Sequence, residues 1–449
     1  MAEDVGVATG RLLVRGGEVV DATGSRRADV LVIDGVVEEV GASLATPAGA
    51  TVIDAEGALV SPGLVDLHTH LRQPGREEAE TVESGARAAA LGGYTAVVAM
   101  PNTEPAIDSA AVARQVLDLG RGAPCEVAVA GAITAGRRGE ALAPMAELAH
   151  LGVVLFTDDG TGVQDGSLMR RALDYARGLG VTLAQHCEDE SLACGGVMHE
   201  GAWSSRLGLP GMPSVAEEAM VARDLALVRL TGAPMHFLHL STAGSIELVR
   251  QAKAEGLPVT AEAAPHHFAL DHSVVAGYDP VFRVNPPLRT TADVAAVKAG
   301  LVDGTIDAVA TDHAPHAPET KDAPFDQAPA GMLGLESALA VALTELAGPD
   351  GPLSAREVLA LFTWRPAAIA RLGPNDERRG GHSAHGGPIV PGAAANLCVV
   401  DPAVRWEVDP ASLASRSRNT PYAGRPLLGR VRHTVLRGEP VVVDSKVQR

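Results

Sequence analysis

Leu64-Val65-Asp66-Leu67-His68-Thr69-His70 is an apolar run that ends in two histidines one residue apart. On a strand, alternate residues share a face, so both imidazoles project to the same side, as metal ligands must. Taken alone, a His-x-His is more often a coincidence of surface or core histidines. Four further segments repeat the form, an apolar run closed by a metal-capable side chain: Val153 to Asp159 (with Asp158-Asp159), Val181 to His186, Met235 to His239 and Ala308 to His313 (with Asp312-His313). In a (β/α)8 barrel the C-terminal ends of all strands converge on one mouth, so ligands far apart in sequence surround one site.

Thr95 to Met100, Glu126 to Gly131 and Val259 to Ala263 are three more apolar β-type runs, which brings the count of strands to eight. Between them lie Ala/Leu-rich helical intervals: Thr81 to Leu91, Ala110 to Leu119, Ser167 to Leu179, Ser214 to Leu230, Ser245 to Ala254 and Thr291 to Leu301. This alternation predicts an α/β fold, a (β/α)8 TIM-type barrel over residues 61–376. Outside it, Leu12 to Arg15, Gly17 to Val20, Asp29 to Ile33 and Val36 to Val40 read as short strands with Gly-rich turns. Asn396 to Val400 and Thr434 to Val443 repeat the style. Residues 1–60 and 389–449 are therefore expected to share a small β-sandwich domain. The Gly-rich stretch 377–388, with His382 and His385, reads as a flexible, solvated insertion, because glycine-rich backbone holds ligands poorly.

At 449 residues the chain has room for one barrel of about 250 residues plus an accessory module. A hydrophobic fraction of 46% with only 3% aromatics means an interior of Ala, Val, Leu and Ile, which suits parallel strands buried on both faces. The net charge of −18 comes from 55 acidic against 37 basic residues, with no basic cluster long enough to track a phosphate backbone, so nucleic acid is not an expected partner. Cys125, Cys187, Cys194 and Cys398 are widely spaced without a C-x-x-C, which fits a reducing cytoplasm rather than a disulfide framework or zinc knot. With no apolar leader and no uninterrupted apolar run of about 18 residues, neither export nor membrane insertion is expected.

The block Ser61 to Arg72 resembles the amidohydrolase superfamily signature. Met100-Pro101-Asn102-Thr103, Phe156-Thr157-Asp158-Asp159-Gly160, Ala184 to Asp189, Pro265-His266-His267, Asn285-Pro286-Pro287-Leu288-Arg289 and Thr311 to His316 extend that resemblance to the class I dihydroorotases, over roughly residues 10 to 445. The resemblance implies two Zn2+ per subunit, with His68, His70 and Asp312 on the first metal, His186 and His239 on the second, and a strand-four residue bridging both. Many relatives bridge with a carboxylated lysine. This chain has no lysine before Lys253, so that bridge cannot be built on the first six strands. The matching position is Asp159, preferred over Asp158, which is expected to cap the following turn.

Two metals sharing a water lower its pKa toward ~7 and supply hydroxide at neutral pH for attack on an amide or ureide carbon. The resemblance makes Asp312 the catalytic proton shuttle as well as a ligand. It implies that Arg72, Asn102 and His316 bind the substrate carboxylate, and that Asn285 and the main chain at Ala330-Gly331 contact the pyrimidine ring. Arg72 suits bidentate capture of a carboxylate. Ala330 stands where many relatives have a larger residue. His236, His266 and His267 are read as structural, one of the last pair serving behind the ligands, and Cys187 as buried packing.

The expected function is thus reversible cyclisation of N-carbamoyl-L-aspartate to L-dihydroorotate in pyrimidine biosynthesis. Dihydropyrimidinase or allantoinase activity is the nearest alternative, though such enzymes usually carry the lysine missing here. A non-catalytic scaffold subunit of aspartate transcarbamoylase is the alternative of another class, though such chains tend to lose ligands that are all present here. Admissible partners are the small-molecule substrates, a second copy of the chain, and a transcarbamoylase.

Overall fold

The computed structural model describes residues 10–374 and 384–449. Eight parallel strands, Leu64–Thr69, Tyr94–Ala99, Glu126–Gly131, Leu155–Phe156, Thr182–Gln185, Met235–Phe237, Val259–Ala263 and Ala308–Val309, pair in chain order. The ring closes between last and first: Thr69 bridges His313, and the His70 amide donates to the His313 carbonyl at 2.9 Å. The buried Asp66 carboxylate reinforces this seam by accepting from the Thr311 amide (2.8 Å) and hydroxyl (2.6 Å). Burial pushes the Asp66 carboxyl up to about 6 even though these donors favour its ionised form.

The expected helices are present as Val82–Leu91, Ala110–Leu119, Gly166–Leu179, Val215–Thr231, Ala243–Ala254 and Thr291–Asp303. Four of them begin where a side chain accepts from an otherwise unpaired amide of the first turn: Thr81 from Ser84, Asp165 from Leu168, Thr242 from Ser245 and Thr290 from Asp293. Strand residues such as Leu64, Val97, Phe156, Phe237 and Val309 pack on these helices in the main core. Val65, Leu67, Ala96, Val98, Ala128 and Ala308 form a separate interior cluster with Ala367, Ala370 and Leu372.

The two chain ends share a nine-stranded sheet, as expected. Its path runs Lys446–Val447, Glu439–Val443, Pro426–Leu436, Leu397–Glu407, Leu59–Pro62, Arg11–Asp21, Gly24–Ile33, Val36–Gly41, and Thr51–Asp54 adds to Arg11–Asp21. The sheet folds back so that its distant turns meet. A Cβ on Gly438 (φ +79°) would lie 2.6 Å from the Gly35 Cα, so only glycine fits there.

Three details differ from the sequence reading. Leu12 to Val20 is one bent strand with a register shift between Val14 and Gly17, because a bulge lets it pair with two partners in succession. The run Thr434 to Val443 is a hairpin that turns at Arg437-Gly438, both with positive φ. His385 is not solvated: it is fully buried, with Nδ1 2.9 Å from Thr95 Oγ1 and Nε2 3.0 Å from Glu126 Oε2, beneath the second and third strands. That correction applies to residues 384–388; residues 377–383, with His382, lie outside the described residues. No helix among the described residues is long and apolar enough to cross a membrane.

Candidate metal centre at the barrel mouth

Strict alternation from Val65 and Leu67, which face the interior cluster, would turn His68 outward. The first strand avoids this by carrying one extra residue: Asp66 pairs with Val97 and Thr69 with Ala99, so three steps on one strand oppose two on the other. The bulge resets the phase, and His68 and His70 both reach the mouth. His239 (φ +30°), Asp312 (φ +46°) and Arg72 (φ +55°) also sit in the left-handed region, where the strand ends leave the ladder. Such backbone costs about 1–3 kcal/mol per residue and tends to gather at functional sites.

These devices converge on Asp159. Its Oδ1 lies 3.3 Å from His68 Nε2, 3.5 Å from His186 Nδ1 and 3.5 Å from His239 Nε2, and its Oδ2 is 3.6 Å from His70 Nε2. Two overlapping triads result, His68/His70/Asp159 and Asp159/His186/His239, each with ligand atoms within 4.8 Å of one another and all buried. Asp312 Oδ1 stands 3.2 Å from His70 Nε2 and 3.6 Å from His68 Nε2. Its Oδ2 is 4.0 Å from the buried His266 Nε2. Asp158 points elsewhere. Rather than capping the following turn, its carboxylate accepts from the Ile133 (2.8 Å) and Thr134 (3.0 Å) amides of the preceding loop.

The donors fit divalent cations. His68 Nε2 is buried without a hydrogen-bond partner, and His186 Nδ1 and His239 Nε2 face each other at 2.9 Å, an approach that only a shared proton or a cation relieves. Burial alone would strip His68 of its proton, yet Asp159 beside it and Glu262 behind it push its pKa well above the ordinary value. Burial likewise opposes ionisation of Asp159, but His68, His186 and His239 hold its carboxyl well below the usual range. His186, against the same burial, is raised to about 9 by Asp159 and Glu188.

The expected substrate contacts gather on the same rim. Arg72, 8% exposed, uses Nε to hold the Pro315 carbonyl at 3.1 Å, and burial brings its pKa down to about 10. Asn102 is already engaged, its Oδ1 2.8 Å from His70 Nδ1 and its Nδ2 3.4 Å from Asp159 Oδ2. Asn285 Nδ2 donates to Glu188 Oε2 at 2.7 Å, which leaves Asn285 Oδ1 buried and unpartnered. His316 Nε2 meets the Ala330 carbonyl at 2.8 Å. The Gly331 amide donates to the Arg283 carbonyl at 2.9 Å, and a Cβ on Gly331 (φ +147°) would lie 2.8 Å from His316 Nε2.

Sequence reasoning passed over the residue behind His68. Glu262 accepts at 3.0 Å from both His68 Nδ1 and His236 Nε2, and these two rings hold its carboxyl at about 2 against its burial. The available signal was an acid inside the apolar run Val259 to Ala263, since an ionised group on a buried strand needs partners. Arg137 was missed as well; its guanidinium donates to the Asp159 carbonyl. His267 stands behind the site, bonded to the Pro286 carbonyl at 3.0 Å, and Cys187 is buried as packing.

A family model described as "Dihydro-orotase-like" matches residues 57–245. The chain is 48% identical over 440 residues to the dihydroorotase of Pelotomaculum thermopropionicum, covering 98% of this chain and all of that one. It is also 48% identical to the dihydroorotase of Streptomyces coelicolor, covering 97% and 99% of the two chains. Among solved structures it is similar to L-hydantoinase (dihydropyrimidinase) from Arthrobacter aurescens, with a TM-score of 0.86 over 98% of this chain and 97% of that one. At 24% identity, that likeness speaks for the fold alone.

Proposed function

The chain belongs to the dihydroorotase family, and from that membership we propose that its barrel mouth interconverts N-carbamoyl-L-aspartate and L-dihydroorotate for de novo pyrimidine synthesis. The observation that carries the reading is the convergence of His68, His70, His186 and His239 on the single carboxylate of Asp159. His68, His70 and Asp312 would hold one Zn2+, His186 and His239 the other, with Asp159 shared. Charge supports two divalent ions: with neutral imidazoles, the buried carboxylates Asp159, Asp312 and Glu262 are balanced by two such cations and one hydroxide. When bound, the metals supply hydroxide near neutral pH and polarise the reacting carbonyl.

The remaining steps fall to this chain's own groups. Asp312, kept ionised by His70 and its neighbours despite burial, is ready to accept a proton. In hydrolysis Asp312 would take the proton of the attacking hydroxide and deliver it to the ring nitrogen that departs as the C–N bond breaks. Cyclisation reverses each step and releases water. Arg72 has its terminal guanidinium nitrogens free of the Pro315 contact, and these would hold the substrate carboxylate. His316 flanks that position. Asn285 Oδ1 would accept from a ring N–H. Asn102 serves more as the brace of His70 and Asp159 than as an open substrate contact. A cytoplasmic setting, a homodimer and association with a transcarbamoylase belong to the same proposal.

The test is an assay of purified protein in both directions with metal stoichiometry on the same sample, alongside Arg72→Met. Two zinc ions per chain, turnover of both substrates and a KM raised roughly 10- to 100-fold by Arg72→Met are expected, since hydrogen bonds to charged groups contribute about 1.5–3 kcal/mol. A fully metallated sample that turns over hydantoins but not dihydroorotate would overturn the reading.

A further inference from the structure

The segment from Pro315 to Gly331 covers the rim beside Arg72 and carries His316. Its tip is fastened to the neighbouring loop. Lys321 Nζ donates to the Pro280 (2.9 Å) and Arg283 (3.2 Å) carbonyls, while the Arg283 guanidinium donates in return to the Phe325 and Ala328 carbonyls. Phe325, 3% exposed, packs with Met198 and Val275.

The base of the segment is held from outside the barrel. Asn419 belongs to the chain between the sheet strands Leu397–Glu407 and Pro426–Leu436, and it is buried. Its Nδ2 donates to the Ala314 carbonyl at 3.0 Å and to the Gly331 carbonyl at 3.1 Å, one on each leg of the segment. Its Oδ1 accepts from the His316 amide at 3.2 Å, and its main-chain carbonyl accepts from the Leu333 amide at 3.1 Å. Both amide hydrogens and both carbonyls of one residue are thus spent on clamping the two legs together. Only a carboxamide offers two donors and an acceptor in that fork. Gly331 has no room to compensate, because any side chain there would strike His316 and Ala314.

We propose that Asn419 is a positioning residue for substrate binding: it sets the spacing of the two legs and through them the placement of His316 against the substrate carboxylate and of the Ala330-Gly331 main chain against the pyrimidine ring. The inference rests on the dihydroorotase reading of the site. Asn419 touches none of the histidine or aspartate side chains of the proposed metal centre, so its loss acts on substrate affinity and leaves metal and chemistry in place.

The test compares Asn419→Asp and Asn419→Ala with Ser417→Ala in the full, zinc-loaded protein. Asn419→Asp keeps the size and the acceptor but loses both donors. Ser417 lies two residues before Asn419, between the same sheet strands, and its hydroxyl donates to the Ala79 carbonyl at 2.8 Å, away from the clamp. KM for dihydroorotate should rise about tenfold or more in both Asn419 variants, as the loss of two hydrogen bonds implies, with kcat changed less than about threefold and zinc content unchanged. Lys321 is the one Lys or Arg from Pro315 to Gly331, so the rate of trypsin cleavage after it reads the segment directly and should rise in the Asn419 variants but not in Ser417→Ala. Unchanged KM and cleavage rate, or a fall in kcat and zinc with KM constant, would overturn the proposal. If the unmodified protein turns over neither substrate, the dihydroorotase reading fails, and the cleavage rates alone decide whether Asn419 clamps the segment. If Asn419→Ala does not fold, Asn419→Asp carries the same outcomes.

Discussion

Glu262→Gln separates charge from geometry behind the proposed metal centre. The glutamine Oε1 can still accept from His68 Nδ1. Its amide can donate to His236 Nε2 if that ring moves its proton to Nδ1, where the Thr260 hydroxyl stands 2.8 Å away and can accept it. The hydrogen bonds survive and only the negative charge is lost. Charge-assisted bonds are roughly twice as strong as neutral ones, and outer partners of metal-binding histidines contribute about 10- to 100-fold to metal affinity. The glutamine variant should therefore weaken zinc binding about tenfold, roughly 1.4 kcal/mol. Glu262→Ala, which strips both rings of their acceptor inside a buried site, should cost about 100-fold. Chelator-competition titration measures both, and kcat at saturating zinc should return to within about threefold for the glutamine variant. Equal zinc affinity in the unmodified protein, Glu262→Gln and Glu262→Ala would refute the reasoning, because it would mean that the ring of His68 is oriented by something else.

Asp312→Asn should retain fold and zinc at the His186/His239 position while turnover falls by at least about 10²- to 10⁴-fold; a variant with near-normal kcat would remove Asp312 as the proton carrier. Glu336 offers a pH test away from the site. Burial raises its carboxyl from 4.5 to about 7, although the Ala414 and Ser415 amides donate to it, a shift worth at most about 3 kcal/mol. A carboxyl raised on folding contributes stability below its unfolded value that is lost as pH climbs through the folded one. Glu336→Gln should thus raise Tm at pH 8 but not at pH 4, and equal Tm differences at both would contradict this. Dialysis against a chelator should abolish activity and zinc restore it; activity surviving in metal-free protein would remove the metals from the reaction.

Much of the architecture was legible in linear sequence because each barrel strand is buried on both faces and so appears as an unbroken apolar run. Parallel strands in a barrel also follow chain order, which makes the ends of distant runs neighbours. The metal-capable side chains closing five of those runs were visible for the same reason. The excursion after the fifth strand, with its two-residue strands Met198–His199 and Gly211–Met212, was not, since such short pairing leaves no periodicity. The burial of His385 was hidden as well. Glycine-rich composition reports local freedom, whereas its bonds to Thr95 and Glu126 come from residues 290 and 259 positions away.

Local pattern and composition were sufficient for the barrel and for the pairing of the chain ends in one sheet, because these depend on burial and on residue type, whereas the choice among the histidines came from the family resemblance. Tertiary structure alone decided which way each side chain points. An extra residue in the first strand, visible only as a register shift against the second, turns His68 and His70 inward. The neighbouring loop draws Asp158 away and leaves Asp159 to the centre. The hydrogen bonds of Glu262, Asn102 and Asn419 join residues on separate elements. Facing and hydrogen-bond partnership are properties of pairs of segments, and one segment's sequence carries no record of its partner.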